Sequence, residues 1–181
     1  MTLPPAVQAV WNELQAVRGE VLNEVSGTSQ VEADWRPGTR DWSVGELIHH
    51  LTIAEIHTGK LTTKLIKEGQ ASGIFRPFPA DLRAFTPLPP PPPGPAEAPL
   101  VVRPERGHPI GKLIEEMKAV RERSRQSIEK LATVDPRPLT WKHFAFGVLD
   151  LGQWWILQAR HDRIHLEQMR AVKAAPGFPR V

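Results

Sequence analysis

Apolar residues recur at three- and four-residue steps over four stretches of the chain, and each stretch predicts an amphipathic helix. In the first, from Pro5 to about Val25, the pattern is carried by Val7, Val10, Trp11, Leu14, Val17, Val21 and Leu22, and Ser26-Gly27 ends it. Between Val31 and Arg40, Trp35-Arg36-Pro37-Gly38 reads as a turn. Ser43 then offers an N-cap, and Glu46 three residues on completes a capping box. The helix it opens carries Val44, Leu47, Ile48, Leu51, Ala54, Leu61, Leu65 and Ile66, and reaches about Glu68. A third helix runs from about Pro109 to Ala132, with Ile110, Leu113, Ile114, Met117, Val120, Ser124, Ile128 and Leu131 on its inner stripe, until Asp135-Pro136-Arg137-Pro138 ends it. Residues Leu139 to Val148 are aromatic and irregular, an extended piece covering one end of the core. The last helix starts near an Asp150 N-cap and runs to about Lys173, before Pro176-Gly177. No strand pattern of useful length is present. The expectation is an all-α, four-helix bundle in one domain over residues 1–181.

Proline interrupts this scheme in one place. Of the 19 prolines, eight fall between Pro87 and Pro99, including the run Pro89 to Pro93, inside a proline-rich loop expected over residues 70–108 between helices two and three. Such a run adopts extended polyproline II and lacks backbone donors for a sheet. It reads either as a stiff spacer joining helix ends that lie far apart, which is the simpler reading, or as a ligand for an SH3- or WW-type groove.

A net charge of +3 with acids and bases interspersed gives no expectation of nucleic-acid binding. The densest basic stretch, Arg121-Glu122-Arg123-Ser124-Arg125, fans over a broad helical face and reads as solvated surface. The Met1-Thr2-Leu3-Pro4-Pro5 start has no basic and apolar leader pattern, and no run of about 18 apolar residues exists to span a membrane. The expected compartment is therefore the cytoplasm. The absence of cysteine removes thiolate metal ligands and cysteine nucleophiles, so any metal falls to His, Asp or Glu and any thiol must come with a substrate.

Seven histidines remain: His49, His50, His57, His108, His143, His161 and His165. His161 and His165 stand one turn apart on one face of the last helix, the spacing that lets two imidazoles reach one cation. They continue the apolar stripe through Leu151, Trp154, Gln158 and Met169, so they face inward, where unpartnered imidazoles are costly. Such pairs also occur as hydrogen-bonded core histidines. On the second helix His50 flanks the apolar stripe between Leu47 and Ala54, while His49 is rotated by about 100°. His50, His161 and His165 together make a facial three-imidazole set with open positions for water or substrate. His57 lies about 10 Å further along the axis, too far to share that metal, though able to line a pocket. His161-Asp162-Arg163-Ile164-His165 has no Glu after its first His, which argues against a zinc-protease motif.

Trp42-Ser43-Val44-Gly45-Glu46-Leu47-Ile48-His49-His50-Leu51 resembles the second-helix signature of the DinB-like superfamily. The stretch His143-Phe144-Ala145-Phe146-Gly147-Val148-Leu149, then Gln153-Trp154, His161-Asp162-Arg163-Ile164-His165 and Gln168, is similar to its C-terminal signature. The resemblance covers nearly the whole chain. It implies a four-helix bundle, often dimeric, that holds a divalent metal through one histidine of the second helix and two of the fourth, which here are His50, His161 and His165. Its members include transferases and isomerases that use low-molecular-weight bacterial thiols, proteins described as metal-dependent hydrolases, and many without an assigned activity. The chain departs from the pattern at Thr52-Ile53-Ala54, where some relatives carry another polar or histidine residue, and in its polyproline insertion. Both departures bear on substrate class.

Two functions follow. One is a metal-dependent enzyme, either a thiol-dependent S-transferase using an exogenous low-molecular-weight thiol or a hydrolase. In it the three-histidine site activates the nucleophile, and His57 and Glu46 are conceivable acid–base partners. The other is a non-catalytic metal- or ligand-binding bundle acting through homodimerisation or through Pro89–Pro93. Imidazole ligands suit zinc, nickel, iron and copper alike.

Overall fold

A computed structural model describes residues 2–91, 93–94 and 97–180. Helix α1 spans Pro5–Glu24, with Pro5 in the first turn, where its missing N–H costs nothing. A five-residue helix, α2, spans Gln30–Asp34 in a stretch expected to be turn. Ser29 and Glu32 form its capping box, the same Ser-x-x-Glu signal that was read at Ser43. Helix α3 spans Val44–Ala71, opened by the Ser43–Glu46 box and running three residues past the expected Glu68. Helix α4 spans Ile110–Leu131, and α5 spans Leu151–Ala174 from an Asp150 N-cap that forms a capping box with Gln153.

Between α4 and α5, where an irregular extended piece is expected, two short strands form a hairpin. Thr140–His143 (β1) and Gly147–Asp150 (β2) pair antiparallel, with Trp141 opposite Leu149 and His143 opposite Gly147. Gly147 turns the chain at φ 74°, a conformation that disfavours side-chain-bearing residues. At four residues each, these strands are too short for a period-two pattern to stand out.

The chain is mostly helical, and the long helices pack with a definite polarity. Gly45 faces Leu113 and Gly59 faces Ser127, so α3 and α4 run parallel. On the other side His50 meets His161 while Thr62 meets Trp155, so α3 and α5 run antiparallel. The pairs Glu13–Arg163 and Glu24–Lys173 set α1 parallel to α5. Because α4 starts beside the start of α3, the chain from Ser72 to Pro109 must return along the whole of α3, about 40 Å. It does so without an α-helix among its described residues, making a single 3-10 turn at Leu100–Val102. Pro92 of the Pro89–Pro93 run lies outside the described residues.

Two apolar clusters fill the interior. One gathers Val10, Leu14, Leu65, Ile128 and the fully buried Trp155, whose Nε1–H donates to Thr62 Oγ1 at 3.0 Å. The other gathers Val21, Leu47, Leu51, Met117 and Leu166. Along each of the four long helices a buried charge falls between the two clusters: Arg18, Glu55, Arg121 and Asp162. Arg121 therefore corrects the reading of the basic stretch as solvated surface. Arg123 is exposed, but Arg121 is buried, with its Nε bonded to Glu55 Oε1 at 2.7 Å. Among the described residues no helix is long and apolar enough to cross a membrane.

Candidate metal centre

The start of α3 is held from both sides. Ser43 Oγ accepts from the Glu46 N–H at 3.2 Å, and Glu46 Oε2 accepts from the Ser43 N–H at 2.9 Å. The Arg36 guanidinium also clasps Glu46, with Nε 2.7 Å from Oε2 and a further bond to Oε1. Burial opposes ionisation of Glu46, but Arg36 and the Ser43 backbone outweigh it and hold the carboxyl below its usual value. Glu46 is thus an ionised clamp rather than an acid–base group. The same cap places the Trp42 ring 4.8 Å from that of His50 and 6.1 Å from that of His165.

Three imidazoles converge on one point. His50, buried in the second turn of α3, has its Nε2 2.9 Å from His161 Nε2, and His165 Nε2 lies 3.0 Å from the same atom. Among the described residues this is the one group of three or more His, Cys, Asp or Glu side chains spaced to share a cation.

Their outer nitrogens settle which tautomers are present. His50 Nδ1 lies 2.6 Å from the Val102 carbonyl, which can only accept, so Nδ1 carries the proton and Nε2 is a bare lone pair. His165 Nδ1 donates likewise to Gln168 Oε1 at 2.9 Å. Two bare Nε2 atoms therefore face His161 Nε2, which has at most one proton to give. At least one lone pair stays unmatched unless a cation takes all three, and that is the condition a divalent metal satisfies. The rings are also held in the form a metal needs. Burial lowers His50 to about 4, against a partial pull upward from the Val102 carbonyl. Burial, then the nearby His165, His50, His143 and Arg18, push His161 well below its ordinary value. Burial lowers His165 as well, opposed by Gln168.

The other four histidines are not part of this convergence. His57 is exposed. His49 Nδ1 accepts the Glu105 N–H at 3.0 Å, and its ring lies 4.5 Å from that of His108. His143, in the hairpin, meets Trp154 edge to face, with ring centroids 5.2 Å apart.

Sequence reasoning missed the charged layer directly behind the centre. Asp162 follows His161 in the chain and is fully buried, receiving Arg18 Nε at 3.0 Å, Arg121 Nη2 at 3.1 Å and Gln158 Nε2 at 3.2 Å. Glu55, also fully buried, takes Arg18 Nη2 and Arg121 Nε, each at 2.7 Å. Burial pushes Asp162 up, whereas Arg18 and Arg121 hold Glu55 down against its burial. Two surface grooves of about 440 Å³ lie away from the centre, one between α1 and α5 beside Phe85 and one between α3 and α4.

A helical chain that brings one histidine of α3 and an HxxxH pair of α5 to a common point belongs to the class of helical proteins with a candidate three-histidine metal centre. The comparison with known families makes this specific: the profile of the DinB superfamily matches residues 5–169, and the chain belongs to that superfamily. No curated protein and no solved structure matches it.

Proposed function

We propose that the chain is a single-domain, DinB-type four-helix bundle in which His50, His161 and His165 hold a divalent cation, and that it is a metal-dependent enzyme. The observation that carries this reading is the convergence of three Nε2 atoms with the tautomers of two rings fixed from outside. The cation would supply Lewis acidity that makes a water or thiol nucleophilic at neutral pH. The protein's own residues bind and orient. Val102 and Gln168 aim the imidazoles, Trp42 covers His50 and His165, and the Arg18–Glu55–Arg121–Asp162 layer fixes α5 behind them.

The chain has no cysteine, so in the S-transferase version the thiol is an exogenous low-molecular-weight cofactor; the hydrolase version needs only water. Glu46 is engaged by Arg36 and His57 is exposed, which leaves neither as the acid–base partner. The family's frequent dimerisation extends the proposal to a homodimer.

Metal analysis of the purified protein tests the centre. About one equivalent of zinc, nickel or iron is expected in the wild type, and its loss in a His161→Ala/His165→Ala variant. A wild type that binds no divalent metal would sink the reading. Turnover of electrophiles with bacterial thiols, or of esters and amides, should then disappear on chelation and return with metal.

A further inference from the structure

The hairpin that leads into α5 carries a hydrogen-bond donor with no acceptor among the described residues. Trp154 lies two turns before His161 on the same face of α5, about 10 Å along the axis. Against it the hairpin sets His143, its ring 5.2 Å from Trp154 and 5.3 Å from Phe146. The backbone N–H groups of Ala145 and Phe146 both donate to His143 Nδ1, at 3.1 and 3.2 Å. That nitrogen is therefore bare, and the neutral ring carries its proton on Nε2. No described residue accepts from this Nε2–H, yet it is not sealed from solvent. The turn thus commits two amides to fixing the tautomer of a donor that sits beside the half-buried Trp154, on the helix face that carries His161 two turns later.

We propose that His143 is a substrate-binding residue. Its Nε2–H donates to a carbonyl-type oxygen of a small molecule that is held at the other end by the His50–His161–His165 centre, with its flat apolar part against Trp154. A neutral donor of fixed tautomer suits a ketone, ester or amide oxygen, which accepts a hydrogen bond without needing a cation. The proposal rests on the metal-centre reading above.

Cobalt-loaded protein titrated with aryl hydroxamates tests it, because the hydroxamate engages the metal and the visible absorption reports binding. Benzohydroxamate is compared with three analogues carrying a ketone at increasing distance from the hydroxamate. At least one ketone analogue should bind about fivefold tighter than benzohydroxamate, the effect of one added hydrogen bond. That gain should vanish in His143→Asn, whose side-chain carbonyl still accepts from the turn amides while its donor falls short. It should also vanish in His143→Phe, which keeps the ring packing without an N–H. Cobalt content stays at the wild-type level in both variants, and each variant's ketone affinities are referred to its own benzohydroxamate affinity. No gain at any spacing, or a gain that survives in either variant, overturns the proposal. Failure of the wild type to take up cobalt overturns the metal reading and this proposal with it, whereas uptake without a ketone gain overturns this proposal alone.

Discussion

A neutral imidazole has one lone pair to give, and the partner of its other nitrogen decides where that lone pair points. His50 and His165 have their Nδ1 protons committed to Val102 and Gln168, so both Nε2 atoms are aimed at His161 before any ligand arrives. The trio itself is legible in the sequence, because an HxxxH pair on an apolar stripe and a lone inward histidine are features of local spacing. The Val102 contact is not legible, since it joins positions 52 residues apart through an irregular segment. Burial without a counter-charge has a measurable consequence. In the folded protein His50 titrates at about 4, against about 6.5 in the unfolded chain. Between those values the unfolded chain holds more protons, so metal-free protein loses stability as the pH falls through that window. The His50 contribution is about 3 kcal/mol when the loss is complete. Urea unfolding of metal-free protein at steps from pH 7 to pH 4 measures it, and a His50→Gln variant should show a correspondingly flatter profile. Equal slopes for the two proteins would contradict the assignment.

On the scale of the helices, apolar periodicity and capping boxes located the four long elements to within a few residues, but periodicity alone misjudged charge. Arg18 stands four residues after Leu14, Glu55 four after Leu51, Arg121 four after Met117 and Asp162 four after Gln158. Each therefore occupies an inward position, and two cations with two anions on four inner stripes is a signal that a charge count along one helix does not reveal. The hairpin is legible only as an extended piece because its strands are four residues long, and α2 is hidden because the turn signal beginning at Trp35 masks the Ser29–Glu32 box just before it. The charged layer is all-or-none. Removing one member leaves its partners buried and uncompensated, which costs about 3–5 kcal/mol, whereas a change at the exposed Arg123 stays within about 0.5 kcal/mol. Urea denaturation of Arg121→Ala and Arg123→Ala should therefore differ by several kcal/mol. Comparable stabilities for the two variants would mean that the buried pairs carry no weight. Asp162→Asn should act on the centre as well, since it alters the position next to His161, and its metal affinity should fall even in preparations that remain folded.

For the molecule as a whole, parallel α3 and α4 force a long return, and the end of that return is fastened to the three-histidine cluster. The Val102 carbonyl receives His50 Nδ1, and the Glu105 N–H donates to His49 Nδ1. His108 packs edge to face against His49, and its carbonyl accepts from Gln30 Nε2 at 3.2 Å. Gln30 Oε1 in turn accepts the first N–H of α4, from Ile110, at 2.8 Å. One segment thus joins α2, α3 and the start of α4 beside His50. A cation on His50 Nε2 makes Nδ1–H a stronger donor, so loading the centre should tighten the grip on Val102. The exposed Arg106, followed by Gly107, reports on this as a trypsin site, because cleavage there needs the segment to open locally. Cleavage at Arg106 should slow several-fold when zinc is added to metal-free protein. His49→Ala should speed it without changing metal content, since His49 holds the segment through Glu105 and His108 but points away from the trio. Equal cleavage rates with and without zinc would show that the fastening and the centre are independent. Faster cleavage in His49→Ala accompanied by metal loss would instead show that the segment is needed to keep the centre assembled.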